Sequence, residues 1–290
     1  MERDKLFSQV KKIQLITSKM VHSLFAGNYR SVFRGPGIEF DEVREYAQDD
    51  DIRLIDWNVT SRTGFPHTKV FKEERELTLF LIVDVSASLF FGSGERSKRD
   101  TAAIIAAVLS LAAVSNNDKA GALFFTEKIE HWIPPDKGKK HILRLIRDML
   151  DCNPAGRGSD LALALRTVNK SLKRRGICVI LSDFKTTSGL RELTLLKRKH
   201  DVIAVKITDR MDFVYPETGL VELEDPETYK KIFGFGYSKK FRLNYRDYWD
   251  NIHQQWLKEI KSRGVDVIVI DTEDDPARKL LAFFKHRKRR

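Results

Sequence analysis

The segment LFLIVDVSASLFFGS, Leu79 to Ser93, climbs through an apolar run to one aspartate and then alternates through two serines, Asp84-Val85-Ser86-Ala87-Ser88. A loop that turns after the strand can point these three oxygens at one centre. Hard oxygen donors suit Mg²⁺, with Mn²⁺ or Ca²⁺ as the other candidates, and do not suit zinc, which prefers nitrogen and sulfur. Two more oxygen donors stand further along. Ser159 follows the flexible Gly156-Arg157-Gly158 and opens a helical segment, and Asp183 ends the apolar ICVILSD. Ligands of an open parallel sheet bind outside the carboxyl ends of its strands. A fold that brings these loops to one rim would therefore assemble Asp84, Ser86, Ser88, Ser159 and Asp183. Taken singly, each has a plainer use, because Ser and Asp at strand ends form turns and cap helices. Their joint placement favours a metal.

The elements that must position this set alternate regularly. ELTLFLIVD reads as a strand, RSKRDTAAIIAAVLSLAAV as a helix, AGALFF as a strand and KIEHWI as its hairpin partner. KKHILRLIRDML places Ile142, Leu145, Ile146, Met149 and Leu150 on one helical face. SDLALALRTVNKSLKRRG is a helix with Ser159 or Asp160 as N-cap, followed by the strand ICVILSD, the helix GLRELTLLKRKH and the strand DVIAVKIT. An irregular aromatic-rich stretch runs from Asp212 to about Lys240. A helix around Tyr245–Arg263, the strand VDVIVID and the helix PARKLLAFFKHRK follow. Near-continuous apolar strands alternating with helices predict an α/β fold: a doubly wound, mostly parallel sheet covered on both faces. Residues 1–76 read differently. An amphipathic helix carrying Leu6, Val10, Ile13, Met20 and Leu24 is broken by Gly35-Pro36-Gly37. The expectation is an N-terminal helical/β appendage, 1–76, packed on a main domain, 77–290. Its dense charges, Glu39 to Arg62, read as a structural ion-pair network, with Trp57 as a packing anchor and a second interaction surface as the alternative.

The 290 residues carry 52 Lys and Arg against 41 Asp and Glu, a net charge of +11. Such a surplus favours acidic partners without selecting among them. Part is local, in Lys285 to Arg290, read as a solvated basic tail on a helix C-terminus. Two cysteines make no disulfide framework, the N-terminus lacks an apolar signal core, and the apolar run Ala102–Val114 is shorter than the roughly 18 residues of a membrane span. A cytoplasmic protein is expected. Seven histidines are scattered and none pairs at metal-ligand spacing; no phosphate-binding loop and no Gly-x-Ser-x-Gly occurs. The expectation is a non-enzymatic chain. A nucleic-acid-binding protein is the alternative, on the basic surplus and on YKKIFGFGYSKKFRLNYR, where Lys and Arg interleave with aromatics. That stretch also reads as a hairpin that packs Phe233, Phe235 and Tyr237 inward, so nucleic acid ranks below protein as a partner. A Mg²⁺-dependent phosphohydrolase with Asp84 as nucleophile has little support, because its loop supplies serines where a second acid would be wanted.

The five-oxygen set resembles the metal-ion-dependent adhesion site of von Willebrand factor A domains, Asp-x-Ser-x-Ser followed by a Thr and an Asp. It falls here on Asp84, Ser86, Ser88, Ser159 and Asp183, with Ser159 in place of the usual Thr. FRGPGIEFDEVREYAQDDDIRLIDWNVTSRTG, FKEERELT, FGS, NNDKAGALFFTEKIEHWIPPDKGKKHILRLIRDML and KHD are similar to the bacterial domain-of-unknown-function 58 family. One departure is Asp49-Asp50-Asp51 after Gln48, where family members tend to have Gly-Asp. The resemblance implies a von Willebrand A-like fold and a partner among MoxR-type AAA+ ATPases. It further implies an adaptor role in chaperone-like complex assembly, in which an acidic residue of a protein client completes the metal's shell.

Overall fold

The computed structural model describes residues 39–72, 77–185 and 188–287. The helix expected over Leu6–Leu24, its Gly35-Pro36-Gly37 break and the end of the basic tail, 288–290, lie outside them. The described chain divides at Leu77 into two compact units.

In the smaller unit, β1 (Glu39–Glu45) pairs antiparallel with β2 (His67–Lys72), with an irregularity between Phe40 and Glu42. The connection carries a short 3₁₀ turn, Ile52–Leu54, and α1 (Trp57–Thr63). Asp56 caps α1 by accepting from the N–H groups of Asn58 and Val59, and Gly64, at φ 78°, closes it. Arg44 pairs with Asp50 at 2.6 Å while Asp50 also accepts from Ala47 N–H. These charges thus serve caps and turns of their own unit, and the acidic run after Gln48 forms the turn. Trp57 does not anchor packing as expected: it is 69% exposed.

The larger unit is mixed α/β around a six-stranded sheet of order β10-β7-β6-β3-β4-β5. Its strands are β3 (Thr78–Asp84), β4 (Lys119–Phe125), β5 (Ile129–Asp136), β6 (Ile177–Ser182), β7 (Asp201–Thr208) and β10 (Asp266–Asp271). All pair in parallel except β5, which lies antiparallel on β4. Alternation along β3 sends Leu79, Leu81 and Val83 to one face and Phe80 and Ile82 to the other, so two cores form. The first packs α2 (Lys98–Ser115), α3 (Lys139–Asp151) and α7 (Pro276–Arg287); the second packs α4 (Leu161–Ser171), α5 (Leu190–Lys199) and α6 (Lys239–Ser262). Helix α2 has twelve buried residues, which explains the apolar run from Ala102 to Val114 within it. Among the described residues no helix is long and apolar enough to cross a membrane.

Three expectations need correction. A hairpin does form, β8 (Leu220–Glu224) with β9 (Lys231–Phe235), but its aromatics face outward: Phe233, Phe235 and Tyr237 are 60%, 53% and 63% exposed. Helix α6 begins at Lys239 rather than near Tyr245, because Ser238 caps it by accepting from Phe241 N–H. The basic tail is not wholly solvated. Arg287 binds both oxygens of Asp201 at 2.7 Å and Asp266 at 3.0 Å, tying α7 to the starts of β7 and β10.

Candidate metal centre

Strands β3 and β6 are neighbours, yet their following helices lie on opposite faces: α2 in the first core, α5 in the second. The loops leaving them diverge, which opens the crevice where doubly wound sheets bind ligands. Asp84 ends β3 and Asp183 follows the last residue of β6, so both carboxylates enter this crevice.

Beyond Asp84 the chain turns at once. Ser86 N–H donates to Asp84 Oδ1 at 2.9 Å, and a 3₁₀ turn follows over Ala87–Phe90. The turn brings the Ser86 and Ser88 hydroxyls within 3.2 Å of each other. The loop that carries Ser159 is fastened from the β4–β5 turn and the start of β5. Glu130 accepts from the N–H groups of Ala155 and Gly156, Glu127 accepts from Arg157 N–H, and Thr126 C=O accepts from Asp160 N–H. Arg157 C=O in turn accepts from Ala87 N–H at 2.9 Å, joining the two loops. Asp160, not Ser159, caps α4, through Leu163 N–H. Ser159 is thereby left for another partner, and its Oγ donates to Asp84 Oδ2 at 2.9 Å.

All five residues expected from the sequence therefore meet at one rim. Sequence reasoning missed three others. Ser182 donates its hydroxyl to Asp84 Oδ2 at 2.7 Å and accepts from Phe184 N–H, so it orients Asp84 and shapes the turn that presents Asp183. Its signal was its place one residue before Asp183. Lys98 is fully buried and reaches Asp183 Oδ2 at 3.4 Å and Asp212 Oδ2 at 2.7 Å. Burial raises the carboxyl of Glu227, in the turn between β8 and β9, and the charges of Asp183 and Asp84 raise it further, though no spacing linked it to the site.

Burial, and then the neighbouring Asp183 charge, push the Asp84 carboxyl up to about 6. Burial also raises Asp212, but Lys98 and Lys185 outweigh it and hold that carboxyl below its ordinary range. Burial brings Lys206 down to about 8 despite Asp183 and Asp212 nearby. A hard divalent cation fits this donor set. Every ligand is oxygen, two buried carboxylates repel each other, and a cation between them would offset that repulsion. Among the described residues no three His, Cys, Asp or Glu side chains form a group able to hold a metal, so a cation here would rest on two carboxylates and on serine hydroxyls.

The family described as Protein of unknown function DUF58 matches residues 42–255. Uncharacterized proteins of Mycobacterium tuberculosis and Mycobacterium bovis are each 34% identical over 228 residues, 77% of this chain and 72% of theirs. Among solved structures, the conserved hypothetical protein BatB of Bacteroides thetaiotaomicron covers 74% of this chain and 100% of its own, at 12% identity and TM-score 0.46. An aerotolerance-related membrane protein of Bacteroides fragilis covers 73% and 98%, at 12% identity and TM-score 0.48.

Proposed function

We propose, for a chain that belongs to the DUF58 family of proteins of unknown function, a non-enzymatic, divalent-metal-dependent role in protein interaction. The larger unit acts as a von Willebrand A-like domain with a metal-ion-dependent adhesion site. The observation that carries this reading is the meeting of Asp84, Ser86, Ser88, Ser159 and Asp183 where the loops after β3 and β6 diverge. These residues would hold Mg²⁺, or Mn²⁺ or Ca²⁺ in its place. A bound cation supplies an open coordination position that an acidic residue of a partner can fill. Ser182 keeps Asp84 oriented, and the Glu127 and Glu130 contacts keep Ser159 in reach. A MoxR-type AAA+ ATPase, acting in complex assembly, is the partner we assign, and the net charge of +11 would speed encounter with an acidic surface.

Calorimetric titration with Mg²⁺ and Mn²⁺ tests the site. Wild type is expected to bind and Asp84→Ala to lose binding. Capture of the ATPase should vanish in EDTA and in the Asp84→Ala, Asp183→Ala double variant. Capture that persists in both would overturn the mechanism. One observation favours the nucleic-acid alternative: the exposed Phe233, Phe235 and Tyr237 stand beside exposed Lys231 and Lys239. That reading expects binding that falls steeply with salt and ignores EDTA.

A further inference from the structure

The tip of the β8–β9 hairpin is held as a turn. Asp225 accepts from Thr228 Oγ1 at 2.5 Å, its C=O accepts from Tyr229 N–H, and its own N–H donates to Lys230 C=O. The turn presents Tyr229, at φ 56°, to the loop before Ser159, where its ring lies 4.7 Å from the Arg157 guanidinium carbon. This is a cation–π contact. Between hairpin and loop lies a cavity of about 440 Å³, lined on one side by Ala87, Phe90 and Arg157 and on the other by Glu224, Pro226 and Tyr229. Binding clefts usually measure about 300–1,000 Å³. Both aromatic walls are held in place yet open to solvent. Phe90 lies under the Arg99 guanidinium at 4.7 Å, and that guanidinium donates to Leu150 C=O at 3.2 Å. Phe90 and Tyr229 are 49% and 53% exposed.

The charges of the lining are unbalanced at one residue. Glu224 has Lys231 at 3.7 Å. Among the described residues no carboxylate pairs with the Arg157 side chain, which rests on the face of Tyr229. A guanidinium over a ring keeps N–H donors that can grip a carboxylate in pairs. The backbone of Arg157 is already part of the candidate site. Its C=O accepts from the N–H of Ala87, between Ser86 and Ser88, and Ser159 stands two residues further on. A carboxylate held by Arg157 would therefore lie beside the one that the metal takes.

We infer that this cavity is a second docking point for the partner. Arg157 takes a second carboxylate of an acidic protein segment, and Phe90 and Tyr229 take the apolar residue next to it. The inference deepens the adhesion-site reading and rests on it for the first carboxylate alone. A nucleic acid fits less well. The hairpin carries Glu222, Glu224, Asp225 and Glu227 against Lys230 and Lys231, and this surplus of acid repels a polyanion.

A random linear peptide library displayed on phage is the probe, panned on the full chain in Mg²⁺. Peptides enriched on wild type are expected to carry two acids beside an apolar residue. The most enriched, made as a labelled free peptide, should bind Arg157→Ala about tenfold more weakly or worse. Arg157→Lys should fall between, because it keeps the charge without the paired donors. Thermal unfolding checks that both variants fold, as the exposure of Arg157 predicts. Excess single-stranded poly(dT) should leave the peptide bound. Equal affinity in wild type and Arg157→Ala, with binding abolished by EDTA, overturns the role of Arg157 and leaves the metal site standing. Loss in Arg157→Ala without any effect of EDTA supports the cavity and overturns the metal reading. Displacement by poly(dT), or no enrichment on wild type, overturns the cavity as a site for an acidic protein segment.

Discussion

Lys98 opens α2 at its first turn, where a cation faces the positive end of the helix dipole and is disfavoured. It is also fully buried, which an ammonium tolerates only with partners. Both oddities have one cause. Asp183 and Asp212 share its charge at 3.4 and 2.7 Å, and Lys185 supports Asp212 from the far side at 3.0 Å. Removing one member of a buried ion pair leaves the other uncompensated and costs about 3–5 kcal/mol. Lys98→Met should lose stability of that order in urea denaturation. Adding Asp212→Asn to it should restore part, because one stranded charge is removed. If Lys98→Met unfolds at the wild-type midpoint, the pairs contribute nothing to the fold. The position of this lysine at a helix start was the available signal in the sequence, yet its partners lie 85 and 114 residues away and no local pattern joins them.

The loop between α3 and α4 shows what an element must do to deliver one hydroxyl. It has no regular structure of its own, so Glu127 from the β4–β5 turn and Glu130 from the start of β5 reach over to hold its N–H groups. The backbone passes so close to them that a Cβ on Gly156 would meet Thr126 Oγ1 at 2.1 Å and the Glu127 carboxylate oxygens at 2.7 Å. At Gly158 the nearest atom would be 3.4 Å away, an ordinary contact. Gly156→Ala should therefore shift the loop, cost about 1–3 kcal/mol and weaken Mg²⁺ binding in calorimetry. Gly158→Ala should do neither. Equal effects would mean that the fastening by Glu127 and Glu130 does not position Ser159. The sequence marked this loop through Gly-Arg-Gly, and it marked the strands through their apolar runs, because those signals are local. It did not mark the outward face of the β8–β9 hairpin or the early start of α6. Outward aromatics leave the same alternation as inward ones, and Ser238 is one polar residue among several there.

At the scale of the molecule, the two ends of the sheet serve different ends. The carboxyl rim gathers the oxygens of the candidate site, while the opposite rim, where β6 and β7 begin, carries the fold's own titratable weak point. His200 lies there, buried, and its Nδ1 accepts from Gly176 N–H at 3.2 Å. That bond needs an unprotonated nitrogen. Burial, followed by the charges of Lys199 and Arg175, brings His200 from its ordinary 6.5 down to about 4. Above pH 6.5 the histidine is neutral in both folded and unfolded chains and its contribution is complete. As the pH falls, the unfolded chain takes up a proton that the folded chain refuses, so stability is lost progressively down to about pH 4. The loss from this residue is on the order of 3 kcal/mol. The surplus of basic residues adds a general repulsion in acid, but that term is shared by any variant that keeps the other charges. His200→Asn retains an acceptor for Gly176 without the titration. Its unfolding free energy, followed by urea denaturation from pH 7 to 4, should therefore fall less steeply than that of wild type, whatever its value at pH 7. Parallel profiles would show that His200 takes its proton in the fold as readily as in the open chain. Because the histidine sits at the rim opposite Asp84, the difference between the two profiles should persist when Mg²⁺ is added.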